Sequence, residues 1–167
     1  MSHPANDDEA RIKVRELLQK IGTVMLVTTT EEGSLHARPM AIQKIEGDTV
    51  WFFNWHDSPK AQQIREESDV LISAAHPGTQ DYVSAQGTAR ATRDVEKQKA
   101  LWSEAARVWF PKGAEDPGMG LISVTLTGAE YWDSPSSTML HAYGYLKAVA
   151  TGQPPEGGEN AKVSFKG

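Results

Sequence analysis

Three groups of residues in this chain carry side chains that could do chemistry, and each suits an anion or a planar ring. Arg38 lies within an extended run beside Pro39 and Met40. A guanidinium there either stands in solvent on the outer side of a strand or turns into a cleft. In a cleft its planar fork can grip a phosphate. Ser58-Pro59-Lys60 reads as a helix entrance, with Ser58 at the N-cap and Pro59 at the first helical position. An ordinary cap followed by a surface lysine has this form. A phosphate seat has it too: helix-start amides with their partial positive charge, the Ser58 hydroxyl, and the Lys60 ammonium in the first turn. Arg38 completes such a seat only if its strand lies beside the helix entrance. The third group is aromatic: Trp51, Phe52, Phe53 and Trp55, and further along Tyr131 and Trp132. Alternation puts Trp51, Phe53 and Trp55 on one face. Most of these rings suit a core, and one or two could wall off a planar ligand.

Other chemistries find no support. The histidines are His3, His36, His56, His76 and His141, and none pair at the i, i+4 spacing of a helical metal site. No metal site is expected. No nucleophile elbow, Walker loop or dinucleotide glycine fingerprint occurs. The chain has no cysteine, which excludes disulfides, thiolate metal sites and cysteine nucleophiles, and fits a reducing compartment. Lys plus Arg is 17 against 22 Asp plus Glu, a net charge of −5, and no basic stripe stands out. Nucleic acid is therefore a poor partner. No apolar run approaches the ~18 residues of a membrane helix, and the polar N-terminus lacks a signal peptide's apolar core. A soluble cytoplasmic domain is the expectation.

The elements that must position these groups follow from periodicity and turn chemistry. After a loose tail at residues 1–6, Asp7 or Asp8 caps a helix bearing Ile12, Val14, Leu17, Leu18 and Ile21, which Gly22 stops. Strands are predicted over 23–30, 35–45 and 49–55, joined by the turns at Gly33 and Gly47. The helix after Ser58 runs to about Glu67. Strands follow over 69–75 and 82–92. Asp94 caps a longer helix carrying Leu101, Trp102, Ala105 and Trp109, which Pro111 ends. Residues 111–120 read as a loop, 121–132 as a sixth strand and 136–150 as a weak helix. From Thr151 onward the Gly, Pro, Glu, Asn and Lys content predicts a disordered tail. With 167 residues and no internal repeat, one domain over 1–150 is expected. Its close antiparallel strands and few helices suggest a mainly β, six-stranded antiparallel barrel.

Leu35-His36-Ala37-Arg38-Pro39-Met40, then Trp51-Phe52-Phe53 leading into Ser58-Pro59-Lys60, resembles the pyridoxamine 5′-phosphate oxidase-like FMN-binding split-barrel family. Asp81-Tyr82-Val83-Ser84 and Gly87-Thr88-Ala89 fit the strand pair after the helix. Trp109-Phe110-Pro111, Asp116-Pro117 and Ala129-Glu130-Tyr131-Trp132-Asp133 are similar to the general stress protein branch. The resemblance covers roughly residues 10–150. It implies a homodimeric split barrel with FMN, or the longer FAD, in a cleft between subunits. By position, Arg38 and Lys60 would hold the phosphate with Ser58 assisting. The backbone of Pro39, Met40 and Ala41 would follow the ring edge. Phe53 and Asn54 would be a further flavin-contacting pair, and Tyr131 and Trp132 would lie where the partner subunit approaches. The chain also departs from the oxidase proper. Pro59 stands where that enzyme has a second basic residue, and no C-terminal substrate-binding arginine and histidine pattern is visible over 131–167. Vitamin B6 is therefore not implied as substrate. The resemblance leaves two functions: a flavin-dependent oxidoreductase, or a non-catalytic flavin-binding stress protein that stores or senses the cofactor. A haem-handling relative of the fold would need an axial ligand, His141 or His36.

Overall fold

The computed structural model describes residues 7–133, 149–152 and 159–165. Its first element, α1 (Asp7–Ile21), places Asp7, Asp8 and Glu9 at the positive end of the helix dipole and Lys20 in the last turn. Ala10, Val14, Leu17 and Leu18 form its buried stripe. Ile12, expected on that stripe, is exposed, because it falls off the arc those four residues define. Gly22 ends the helix at φ 77°, a left-handed conformation that costs glycine nothing, and its N–H reaches the Leu18 carbonyl at 2.9 Å.

The strands are β1 (Thr23–Thr29), β2 (Leu35–Glu46), β3 (Thr49–Trp55), β4 (Asp69–His76), β5 (Asp81–Thr92), β6 (Met119–Asp133) and β7 (Glu159–Ser164). All neighbours are antiparallel, in the order β3-β2-β1-β4-β5-β6, and β3 pairs with β6 to close a six-stranded barrel. Inward residues such as Leu26, Val50, Phe52, Ile72 and Ile122 fill it without solvent exposure. Each such side chain contributes roughly 1.5–3 kcal/mol relative to leaving it exposed. The closure is incomplete at one place. β2 and β3 stay paired from Glu46↔Thr49 to Ile42↔Phe52 and then part. Residues Leu35 to Ala41 pair only with β1. The unpaired edge accommodates Pro39, which has no N–H to offer. The helix α2 (Pro59–Glu66) follows β3 and packs against β1 and β5.

Two sequence expectations are corrected. The helix after Asp94 is not continuous: α3 (Val95–Leu101) stops and a 3-10 turn, Glu104–Val108, follows. Trp102 and Ser103 between them are extended. Trp102 turns back onto Phe53, with ring centroids 6.2 Å apart, and bonds Glu104 through Nε1. Packing there overrides helix propensity. The second correction concerns the tail. Glu159–Ser164, expected to be disordered, form β7 along the far half of β6, from Gly128↔Ser164 to Asp133↔Glu159. Ala161, Val163 and Phe165 are buried in the main core. Alternate apolar residues in a polar setting can cover a core edge, which composition alone does not reveal. The helix expected over 136–150 lies almost wholly outside the described residues.

Candidate functional site

The site is built where the barrel is split. Register places Arg38 opposite Leu26, so its side chain lies on the inward face with Leu26 and Thr28, toward α2. Of the two orientations open to Arg38, the inward one is observed, and its fork bonds the protein itself. Nη1 donates to the Leu26 carbonyl at 3.2 Å and to Thr28 Oγ1 at 2.7 Å. Nη2 donates to Gln63 Oε1 at 3.2 Å and meets His36 Nδ1 at 2.9 Å. In the last contact the imidazole nitrogen must accept, because a guanidinium has no acceptor. Burial lowers the Arg38 pKa from its ordinary value.

Lys60 stands in the first turn of α2, half-buried, and its pKa is lowered by burial and then by the charge of Arg38. Lys60 lies one turn before Gln63 on α2, and Gln63 bonds Arg38, which brings the two cations to the same part of the helix. Neither forms an ion pair with a carboxylate among the described residues. Two uncompensated charges at one partly buried place are unfavourable unless an anion joins them.

Ser58 caps α2 as expected, with φ −65° and ψ 154°. Its oxygen accepts from the Ala61 N–H at 3.2 Å and from Asn54 Nδ2 at 3.3 Å. A hydroxyl has two lone pairs and one proton, so with both lone pairs engaged the Ser58 proton is left to donate. Asn54 is 3 % exposed and sits behind Ser58; its Oδ1 has no hydrogen-bond partner. Arg65, from the next turn, folds back to the His56 carbonyl at 3.0 Å and closes the helix entrance.

The remaining expected site residues are dispersed. Pro39 and Ala41 lie on the outer face of β2, and Met40 points into the core, so only its backbone is available. Phe53 packs in a second apolar cluster with Leu101, Phe110, Met119 and Leu121, under the 95–118 excursion. Tyr131 is a core side chain at 1 % exposure, whereas Trp132 is exposed opposite Tyr82. His141 lies outside the described residues. Arg38, Lys60, Ser58 and Asn54 are the four brought together. Thr28 and Gln63 complete the cluster and carry no sequence signal, because their roles depend on the β1–β2 register and on where α2 docks. A separate groove of about 520 Å³ lies on the outer face of the sheet, bounded by Val27, Thr29, Leu35, Leu71 and Gln86. It shares no lining residue with the cation pair.

Residues 9–156 match the family model described as pyridoxamine 5′-phosphate oxidase like. A protein of Jannaschia sp. CCS1, described as a candidate general stress protein 26, superposes with a TM-score of 0.81 at 23 % identity, over 95 % of this chain and 99 % of its own. The general stress FMN/FAD binding protein of Xanthomonas citri is 29 % identical, with a TM-score of 0.66 over 78 % of this chain and 92 % of its own. The protein bli-3 of Neurospora crassa is 25 % identical over 142 residues, 79 % of this chain and 68 % of that protein.

Proposed function

This chain belongs to the pyridoxamine 5′-phosphate oxidase like family, and we propose that it is a flavin-binding protein of the general stress type that holds FMN by its phosphate. The single observation that carries this is the pairing of Arg38 and Lys60, two neighbouring cations without a carboxylate, beside the N-cap of α2. A phosphate monoester dianion matches that charge. Ser58 donates its free proton to it, Lys60 supplies the mobile ammonium, and Arg38 contributes a fixed charge. The backbone of Pro39 to Ala41, along the unpaired stretch of β2, would follow the ring edge, and Trp132 would wall it. Likeness to a 29 % identical FMN/FAD binding protein supports the same class of ligand, with FAD as the longer variant.

Bound flavin would supply the redox chemistry, so the reaction we propose is flavin-dependent electron transfer. Binding without turnover is the second reading. It rests on the proposed seat, in which Arg38, Ser58 and Lys60 would all address the phosphate and none the reacting ring. We further propose a cytoplasmic homodimer, joined across the outer face of β1, β2 and β4. Leu35 and Met25 there are 77 % and 39 % exposed. No helix among the described residues is long and apolar enough to cross a membrane.

The test is retention of flavin absorbance, with quenched fluorescence, after FMN is added and the excess removed. Lys60→Ala and Arg38→Ala should weaken FMN roughly tenfold or more, since charged hydrogen bonds contribute about 1.5–3 kcal/mol. Riboflavin, which lacks the phosphate, should be little affected. Equal losses for both ligands would reject the phosphate seat. Reduction of bound flavin by a nicotinamide nucleotide would then separate turnover from storage.

A further inference from the structure

We propose that Gln63 determines specificity at this site: its neutral amide oxygen holds Arg38 in place while leaving the guanidinium charge, with that of Lys60, for an external phosphate monoester. The inference rests on the flavin-phosphate reading and deepens it.

Every acceptor on the Arg38 fork is neutral. They are a carbonyl (Leu26), a hydroxyl (Thr28), an imidazole nitrogen (His36) and an amide oxygen (Gln63). Gln63 is central among them, because its Oε1 also accepts the Thr28 hydroxyl at 2.7 Å. Thr28 in turn accepts from Arg38, so β1, β2 and α2 are joined by a closed ring of three hydrogen bonds. Thr28 is 1 % exposed, so the ring is anchored in the core. A glutamate at position 63 has the same shape and would accept the same two bonds with a full charge, making it the stronger partner for a guanidinium. Several other cations of the chain do meet carboxylates: Arg15 meets Asp48 at 3.0 Å, Lys20 meets Asp81 at 2.7 Å and Arg107 meets Glu104 at 2.7 Å. The first turn of α2 carries no acid at all. A neutral acceptor where a carboxylate would serve the fold better is the arrangement an anion site requires. The ring fixes the guanidinium geometrically and does not neutralise it.

The decisive variant is Gln63→Glu, compared with Gln63→Met, which keeps the volume and the neutrality but removes the acceptor. Binding of FMN and of riboflavin is followed by flavin fluorescence, and the ligand-free proteins are melted in parallel. Gln63→Glu should lower FMN affinity roughly tenfold or more, because a new charge beside Arg38 cancels part of the attraction. It should leave riboflavin unchanged and flatten the salt dependence of FMN binding. The ligand-free protein should melt no lower than the wild type. Gln63→Met should lose less FMN affinity than Gln63→Glu. An unchanged FMN-to-riboflavin ratio in Gln63→Glu, a larger FMN loss in Gln63→Met, or a Gln63→Glu protein that melts lower or does not fold would each overturn the assignment. The wild type separates the two levels. If it does not prefer FMN to riboflavin, the phosphate reading itself falls, and this inference with it. If it does, and the preference survives in Gln63→Glu, only the role of Gln63 falls.

Discussion

Lys60 and Ser58 stand two residues apart on one helix entrance, and their surroundings give them different tasks. Ser58 accepts from the Ala61 amide and the Asn54 amide, which leaves its proton to donate. The Lys60 ammonium has no hydrogen bond or ion pair among the described residues, and burial followed by Arg38 lowers its pKa. The direction has a measurable consequence. The ammonium is charged below its pKa, so a lowered pKa means the charge is lost earlier as pH rises. FMN affinity should therefore be flat near neutrality and fall on the alkaline side at a pH below the ordinary lysine value of 10.5. Lys60→Arg should remove that fall, since guanidinium keeps its charge there. Titrations of FMN against pH, with riboflavin as the control, check it. The same shift works in the opposite sense on the empty protein. The unfolded chain binds the proton more tightly than the folded one, so the contribution of Lys60 to stability rises with pH through that window.

At the scale of elements, β6 is the strand on which the architecture turns. Along one edge it pairs with β5; along the other it pairs first with β3 and then with β7. The change of partner coincides with a register shift at Gln86/Gly87, where Thr127 is left over opposite β5. Gly87 is needed for a steric reason. A Cβ there would lie 2.6 Å from Val124 Cγ1 and 2.7 Å from the Thr125 carbonyl oxygen. The second of these is backbone and cannot move aside cheaply. Gly87→Ala should destabilise the protein by about 1–3 kcal/mol, the usual cost of overpacking, read as a lower denaturant midpoint. The β7 pairing extends the core beyond the closed barrel. Phe165 packs against the main cluster and under the Arg11 guanidinium, 5.7 Å from the ring centroid, so α1 and the end of the chain hold each other.

For the whole molecule, α1 is fastened at its middle and at its last turn. Lys20 reaches the buried Asp81 at 2.7 Å, and Lys13 pairs with Asp133. Burial raises the pKa of Asp133, and Asp81 adds to the shift. These contacts close one side of the barrel. Among the described residues the outer face of β1, β2 and β4 carries no such cover, and Leu35 and Met25 stand exposed on it beside the 520 Å³ groove. The proposed dimer would bury this face. Light scattering should give the mass of two chains, and Leu35→Asp should shift it toward one, because a carboxylate buried in an apolar interface has no partner. A wild-type mass of one chain would reject the dimer. Leu35→Asp with an unchanged dimer mass would move the interface elsewhere.

Much of this protein was legible in its residues taken in order. The bounds of β3 and the cap at Ser58 needed only local chemistry: β-branched runs, glycine turns, a hydroxyl before a proline. Such signals act within a few residues of chain and survive without tertiary context. The strand reading also carried the barrel, because short hairpins leave few topologies open. Position 38 was not decided that way. An arginine mid-strand can face either side, and only the pairing Leu26↔Arg38 turned it inward, toward Lys60. Thr28 and Gln63 stayed silent for the same reason: a neutral acceptor has meaning only beside the donor it holds, and here that donor lies 10 and 25 residues away. The composition of the tail misled because disorder is read from polarity, whereas β7 depends on three alternating side chains finding an open core edge. Sequence determined the first six strands, α1, α2 and the types of charge. The docking of α2 against β1 and β5, with Gln63 reaching Arg38, decided which charges meet and which are left for a ligand.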